Sequence, residues 1–147
     1  QARPRRRQKM RCLVKAGVMR IVINGTLPGL NEYTKANRAN RYLGAKMKRE
    51  AEDVVRFHLI QQARGKKITS PVRLHITWIE PTRRRDPDNI ASAKKYILDA
   101  FVRSGLLPND TQRWVKGFTD DFGVDRDHPR IEIEIREEGE DAKSKHP

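Results

Sequence analysis

The sequence predicts one α/β (α+β) domain, a mixed β-sheet covered on one side by helices. Three observations lead there. Short segments such as VRLHITWIE and IEIEIRE alternate apolar and polar residues, the period of a strand with one face in a core. Two longer stretches repeat apolar residues at spacings of three and four, as helices with one buried face do. The elements come in the order β, α, β, α, β, β, which suits a sheet with helices packed on it. A chain of 147 residues is long enough for one core and short for two.

The first strand is MRIVIN, residues 19 to 24, apolar and β-branched, closing at Asn24-Gly25. GTLPGLNEYTKANRANR is rich in Gly, Pro, Asn and Arg and reads as a structured loop suited to phosphate contact, with Arg38 and Arg41 as its cations. From about Ala39 to Ala63 the residues Leu43, Met47, Ala51, Val54, Val55, His58, Leu59 and Gln62 trace one buried helix face, and Gly65 ends it. Lys46, Lys48, Arg49 and Arg56 lie on the rest of that surface, where they meet phosphates or only keep the helix soluble. His58 reads as a packed or surface histidine rather than a ligand. VRLHITWIE is the second strand, residues 89 to 104 a single helix closing at Ser104-Gly105, and RWVKGFTDDF a third strand with a polar end. IEIEIRE, half exposed by its alternation, is expected at a sheet edge.

The formal charge of +13 is uneven. Residues 1 to 20 hold eight Lys or Arg and no acid, whereas residues 86 to 147 hold ten basic and fourteen acidic residues. A basic first half joined to an Asp-rich second half suggests a polyanion held by one region near a cation site in the other. No apolar run approaches the roughly 18 residues of a membrane span, which excludes that class. The lone Cys12 has no partner for an internal disulfide and no Cys/His cluster has zinc spacing, as fits a reducing cytoplasm. CLVKAGV is interrupted by Lys15 and too short for a signal-peptide core. Residues 1–18 are expected to be a flexible basic segment and residues 138–147 a disordered tail.

The chemistry concentrates in RRRDPDNIASAKKYILDAF, residues 83 to 101. Asp88-Asn89 before an apolar-periodic run is a helix N-cap signal, and Pro87 restricts Asp86 to extended backbone. A cap needs one carboxylate at most, yet Asp86 and Asp88 sit two apart, where both can face one side. Asp110 comes from a loop at the far end of the same helix. Three carboxylates brought together imply a hard cation such as Mg²⁺, which takes a few carboxylate oxygens and leaves room for water and phosphate. Arg83, Arg84 and Arg85 would then bind flanking phosphates. At 100° per residue Asp88, Lys95 and Asp99 fall near one line, so Lys95 leans back towards the two aspartates or makes a solvated pair with Asp99.

DPDNIASAKKYILDAF followed by SGLLPND resembles the signature of the RusA family of Holliday junction resolvases, especially its phage and prophage members. GLNEYTKANRANRYLGAKMKR is similar to that group's basic N-terminal region, and with FTDDFGVDRDHPRIEIEI the resemblance spans residues 19–137 as one endonuclease domain. It implies a homodimer, in the cytoplasm of a bacterial host, that nicks four-way DNA junctions in pairs with Mg²⁺, or Mn²⁺ in its place. It transfers the acidic triad to Asp86, Asp88 and Asp110 and the functional lysine to Lys95. Counted from DPDN that lysine falls on Ser92; counted back from LDA, with a short insertion after DPDN, it falls on Lys95, with Lys94 as rival. Asp120 and Asp121 are outer-shell groups or turn residues. The reading from another class is a non-catalytic basic nucleic-acid-binding protein in which DPDN only starts a helix.

Overall fold

The computed structural model describes residues 17–138. Most of the expected basic segment and all but the first residue of the expected tail lie outside them; Val18, assigned to that segment, opens the first strand. The strands are β1 (Val18–Asn24), β2 (Val72–Glu80), β3 (Val115–Val124) and β4 (Arg130–Glu137). The helices are α1 (Leu30–Ala39), α2 (Arg41–Gln62), the short α3 (Pro87–Ala91) and α4 (Lys94–Arg103). No helix among these residues is long and apolar enough to cross a membrane.

The strands form one mixed sheet in the order β1-β4-β2-β3, with β4 antiparallel to both neighbours and β2 parallel to β3. The parallel pair needs a crossover, and α3 and α4 supply it. Alternation sorts the two faces. Ile21, Ile23, Leu74, Ile76, Trp78, Ile131, Ile133 and Ile135 point into the core beneath the helices and are at most 2% exposed. The opposite face carries paired charge, with Arg20 of β1 reaching across to Glu132 of β4 at 2.8 Å and Arg130, two residues away on β4 itself, on the same carboxylate at 2.8 Å. The expected two-layer α+β architecture is therefore present.

Four local expectations change. IEIEIRE is not at an edge: β4 lies between β1 and β2, its outward charges matched by those pairs rather than left to water. The true edge at β1 is covered by α2. There the Gln62 amide donates to the Val22 carbonyl at 2.7 Å and accepts its N–H at 2.8 Å. His58 accepts the Asn24 N–H through Nε2 at 3.2 Å while Nδ1 faces the Val54 carbonyl at 2.8 Å. These side chains occupy ladder groups that another strand would otherwise pair with.

The segment expected as a loop contains a ten-residue helix, α1, none of whose residues is buried. A helix without a buried stripe is invisible to apolar periodicity and is held by its ends instead. It turns sharply into α2 at Asn40, whose side chain caps Tyr42 N–H at 2.8 Å. Gly44 allows the close approach, since a Cβ there would stand 2.7 Å from the Asn37 amide oxygen.

On α2 the buried face is Gly44, Ala51, Glu52, Val55, His58 and Leu59, and it packs against α4 and β1. Leu43 and Val54, expected inside, are exposed together with Phe57 and Ile60. Helix α2 carries two apolar stripes, and only one meets the core. Finally, the helix expected over residues 89 to 104 is two helices, broken at Ser92 and Ala93.

Candidate active site

Strand β2 ends at Glu80, and six residues later the DPDN turn opens α3. Pro87 occupies the first helical turn, where its missing N–H costs nothing. Asp86 is the N-cap residue, yet its side chain makes no capping hydrogen bond. Asp88 accepts only from the adjacent Asn89 N–H, at 3.0 Å. Both aspartates are exposed, and neither is in an ion pair among the described residues. The turn thus presents two carboxylates that the local fold does not use.

The turn is fixed from both sides. On its N-terminal side Arg85 is forked onto Glu80, Nε to one oxygen at 2.8 Å and Nη2 to the other at 3.0 Å. Its Nη1 donates to the Leu27 carbonyl at 3.1 Å and to Glu32 on α1 at 3.0 Å. Glu80 raises the Arg85 pKa further, against the opposing effect of burial. On the C-terminal side Asn89, 7% exposed, accepts the Asn31 N–H at 2.8 Å and donates to Glu32 at 3.2 Å. Burial pushes the Glu32 carboxyl up, but its own N–H, Arg85 and Asn89 outweigh this and leave it below the usual range.

Asn89 thereby caps α1 from a distance. Gly29, the N-cap of α1, has no side chain to do so, and a Cβ on it would fall 2.4 Å from both the Asn89 carbonyl and amide oxygens. Glycine at 29 and asparagine at 89 are one device. Glu32, Arg85 and Asn89 together hold α1, the end of β2 and the aspartate turn as a unit. Nothing local in the sequence marks Glu32, and Asn89 carries only a cap signal; the Pro-Gly before Leu30 is the local hint of a helix start that needs an outside cap.

The two lysines of α4 separate. Lys94 Nζ meets Asp120 of β3 at 2.6 Å and lies 4.4 Å from the Phe118 ring centroid. Asp120 also accepts the Trp78 indole N–H at 2.9 Å. Lys95 instead reaches Asp99 at 3.0 Å and Asp110 at 3.7 Å. Asp99, ahead of Asp110, holds its pKa above the usual value. Lys48 of α2 approaches the same Asp99 at 3.6 Å. Asp121 lies on the outer face of the sheet, paired with His75 at 2.6 Å.

The remaining sequence-derived cations are dispersed. Arg83, Arg84, Arg38, Arg41 and Arg49 are exposed, Lys46 is exposed beside Glu50 at 3.9 Å, and Arg85 has its donors engaged internally. For a metal, the donor set at Asp86 and Asp88 is all-oxygen, exposed and unpaired, which fits a hard cation bound through one or two carboxylates. Asp110 is not gathered with them: among the described residues no three His, Cys, Asp or Glu side chains come together as a ready ligand cage, and Asp110 faces Lys95.

The fold is thus a helix-covered mixed sheet whose α3 turn displays two exposed, unpaired aspartates just after the exposed Arg83 and Arg84. The family model for endodeoxyribonuclease RusA matches residues 26–136, and the chain belongs to the RusA endodeoxyribonuclease family. No curated protein matches it. The match opens just after β1, which the fold nonetheless joins to the same sheet through β4.

Proposed function

We propose that this protein is a Mg²⁺-dependent, structure-selective endonuclease that resolves four-way DNA junctions by paired cleavage as a homodimer, with Mn²⁺ able to replace Mg²⁺. The observation that carries the reading is the idle N-cap. A turn that only started a helix would use a carboxylate to cap it, and the Asp86 side chain caps nothing.

Asp86 and Asp88 would hold the cation; Asp110, which stands apart from them at Lys95, would have to move in to serve as a third ligand. When bound, the cation supplies Lewis acidity to the scissile phosphate and to the attacking water. Lys95, poised at Asp110, would meet negative charge developing on the phosphate. Exposed Arg83 and Arg84 would take the neighbouring backbone phosphates, and Arg38, Arg41, Lys46, Lys48 and Arg49 would extend the cationic path along α1 and α2. Arg85, although in the same run, serves as the strut between β2, α1 and the turn. Two copies related by a two-fold axis would match the approximate two-fold symmetry of a four-way junction. The exposed residues Leu43, Val54 and Phe57 along α2, with half-buried Met47 among them at heptad-like spacing, support self-association there.

The test uses a labelled four-way junction with and without Mg²⁺, beside Asp88→Asn. Paired, metal-dependent nicks lost in the variant are expected. Binding with no cleavage in either Mg²⁺ or Mn²⁺ would favour a non-catalytic nucleic-acid-binding protein and sink the nuclease reading.

A further inference from the structure

Between α1, α2 and α4 lies a cavity of about 220 Å³ lined by Leu30, Tyr33, Lys48, Ser92, Lys95 and Tyr96. We propose that this pocket receives one unstacked nucleobase of the branched DNA, with its phosphate on Lys48 and Lys95. The proposal rests on the nuclease reading above and adds to it a subsite for a base beside the cut.

Its chemistry is that of a base with an anion attached. Half-buried Tyr33 offers an aromatic wall on which any base can stack, and Tyr96, largely buried in the core, contributes only its edge to the lining. No carboxylate lines the pocket; Asp99, on which both lysines lean at 3.6 and 3.0 Å, stands behind them. Ser92 donates its hydroxyl hydrogen to the Asn89 carbonyl at 2.6 Å, so its oxygen is presented as an acceptor, suited to an N–H on a base edge. Burial raises the Tyr96 pKa, keeping a neutral phenol that both donates and accepts. Size restricts the occupant. The volume is below the roughly 300 Å³ at which pockets for drug-sized ligands begin, enough for one base and too little for two. A paired base inside a duplex cannot enter such a pocket, whereas a base at a branch point leaves the stack at low cost. Lys95 lines the pocket and touches Asp110, which places the subsite directly beside the candidate catalytic groups.

The test reads binding without cleavage. Full-length protein in EDTA is titrated with four-way junctions carrying an abasic nucleotide at each position flanking the crossover in turn. At one position the abasic junction is expected to bind wild type weaker by roughly 5- to 150-fold, the stacking loss for one base. Tyr33→Ala should erase that penalty and Tyr33→Phe keep it. Equal binding at every position by wild type, or an unchanged penalty in Tyr33→Ala, overturns the proposal. Cleavage of the intact junction in Mg²⁺ separates the two readings. A junction that is cut but shows no abasic penalty removes the base pocket alone, and one that is never cut removes the nuclease reading and the pocket with it.

Discussion

Replacing Asn89 by alanine removes two hydrogen bonds that reach α1 from the aspartate turn. The first, from Asn31 N–H at 2.8 Å, is an N-cap in function, and losing such a cap costs about 1 kcal/mol. The second, to Glu32 at 3.2 Å, involves a charged acceptor, for which about 1.5–3 kcal/mol is typical. Glu32 is partly exposed, so water replaces part of the lost donor and the low end applies. The sum is about 2.5 kcal/mol, or roughly 60-fold in an equilibrium constant. Because no residue of α1 is buried, this energy belongs to the local attachment of α1 rather than to the sheet core. Hydrogen exchange followed by mass spectrometry should therefore show α1 amides opening roughly 60-fold more often in Asn89→Ala, while β2 and β4 amides keep their protection. Unchanged protection of α1 would refute the capping argument. Equal loss across α1 and the sheet would refute the claim that the clamp is local.

Lys95→Ala is expected to lower junction cleavage on the order of 10²–10³-fold, as loss of one positioned charge-stabilising donor does. Lys94→Ala should chiefly lower the melting temperature, because it strips Asp120 of its cation beside Trp78; the opposite ranking in a cleavage assay would transfer the role to Lys94. Val54→Glu combined with Phe57→Glu, both exposed in one chain, should shift the mass seen by light scattering from two copies to one without loss of helical circular dichroism, and an unchanged mass would place self-association elsewhere. Glu32 has a carboxyl below the usual range, so its contribution is present above the unfolded carboxylate pKa of about 4.3 and is lost as pH falls through the lower folded value. Acid unfolding of Glu32→Gln should be less steep in that window than wild type, and coincident pH profiles would remove Glu32 from the clamp.

What could be read from the chain follows from what each element buries. Strands β2 and β4 bury every second residue, so period two reveals them, β1 shows as a β-branched apolar run closing at Asn24-Gly25, and the buried face of α2 is legible through Ala51, Val55 and Leu59. Helix α1 is not, because its anchors are Asn89 and Arg85, more than fifty residues away in sequence. The position of β4 was misjudged since Glu132 and Glu134 look solvated until Arg20, Arg130 and Arg136 are seen beside them. Leu43 and Val54 misled for the converse reason: they repeat with the core residues at helical spacing but belong to a second stripe. At the site, Asp86, Asp88 and the pairing of Lys95 with Asp99 were legible locally. That Arg85 is a strut, unlike Arg83 and Arg84, depends on Glu32 and Glu80 converging on it.

Lys94 and Lys95, adjacent on α4, point about 100° apart as neighbours on any α-helix do, and the break between α3 and α4 sets which way the pair faces. At Ser92 and Ala93 the chain keeps right-handed helical dihedrals but tightens, with Ala93 N–H bonded to the Ile90 carbonyl and Tyr96 N–H to that of Ala93, at 3.2 and 3.0 Å. These are bonds to the third residue back, the 3₁₀ pattern, which turns the chain about 120° per residue where an α-helix turns about 100°. A few tightened residues rotate everything after them by a sizeable part of a quadrant. Lys94 is thereby delivered to β3 and Lys95 to the Asp99 and Asp110 side. Counting forward from DPDN at a uniform helical pitch cannot anticipate this, whereas counting back from LDA stays within α4 and is unaffected by the break. The contact of Lys95 with Asp110 supports the proposal that it is the functional lysine, while Lys94, held between Asp120 and Phe118, is the rival that the cleavage assay decides against or for.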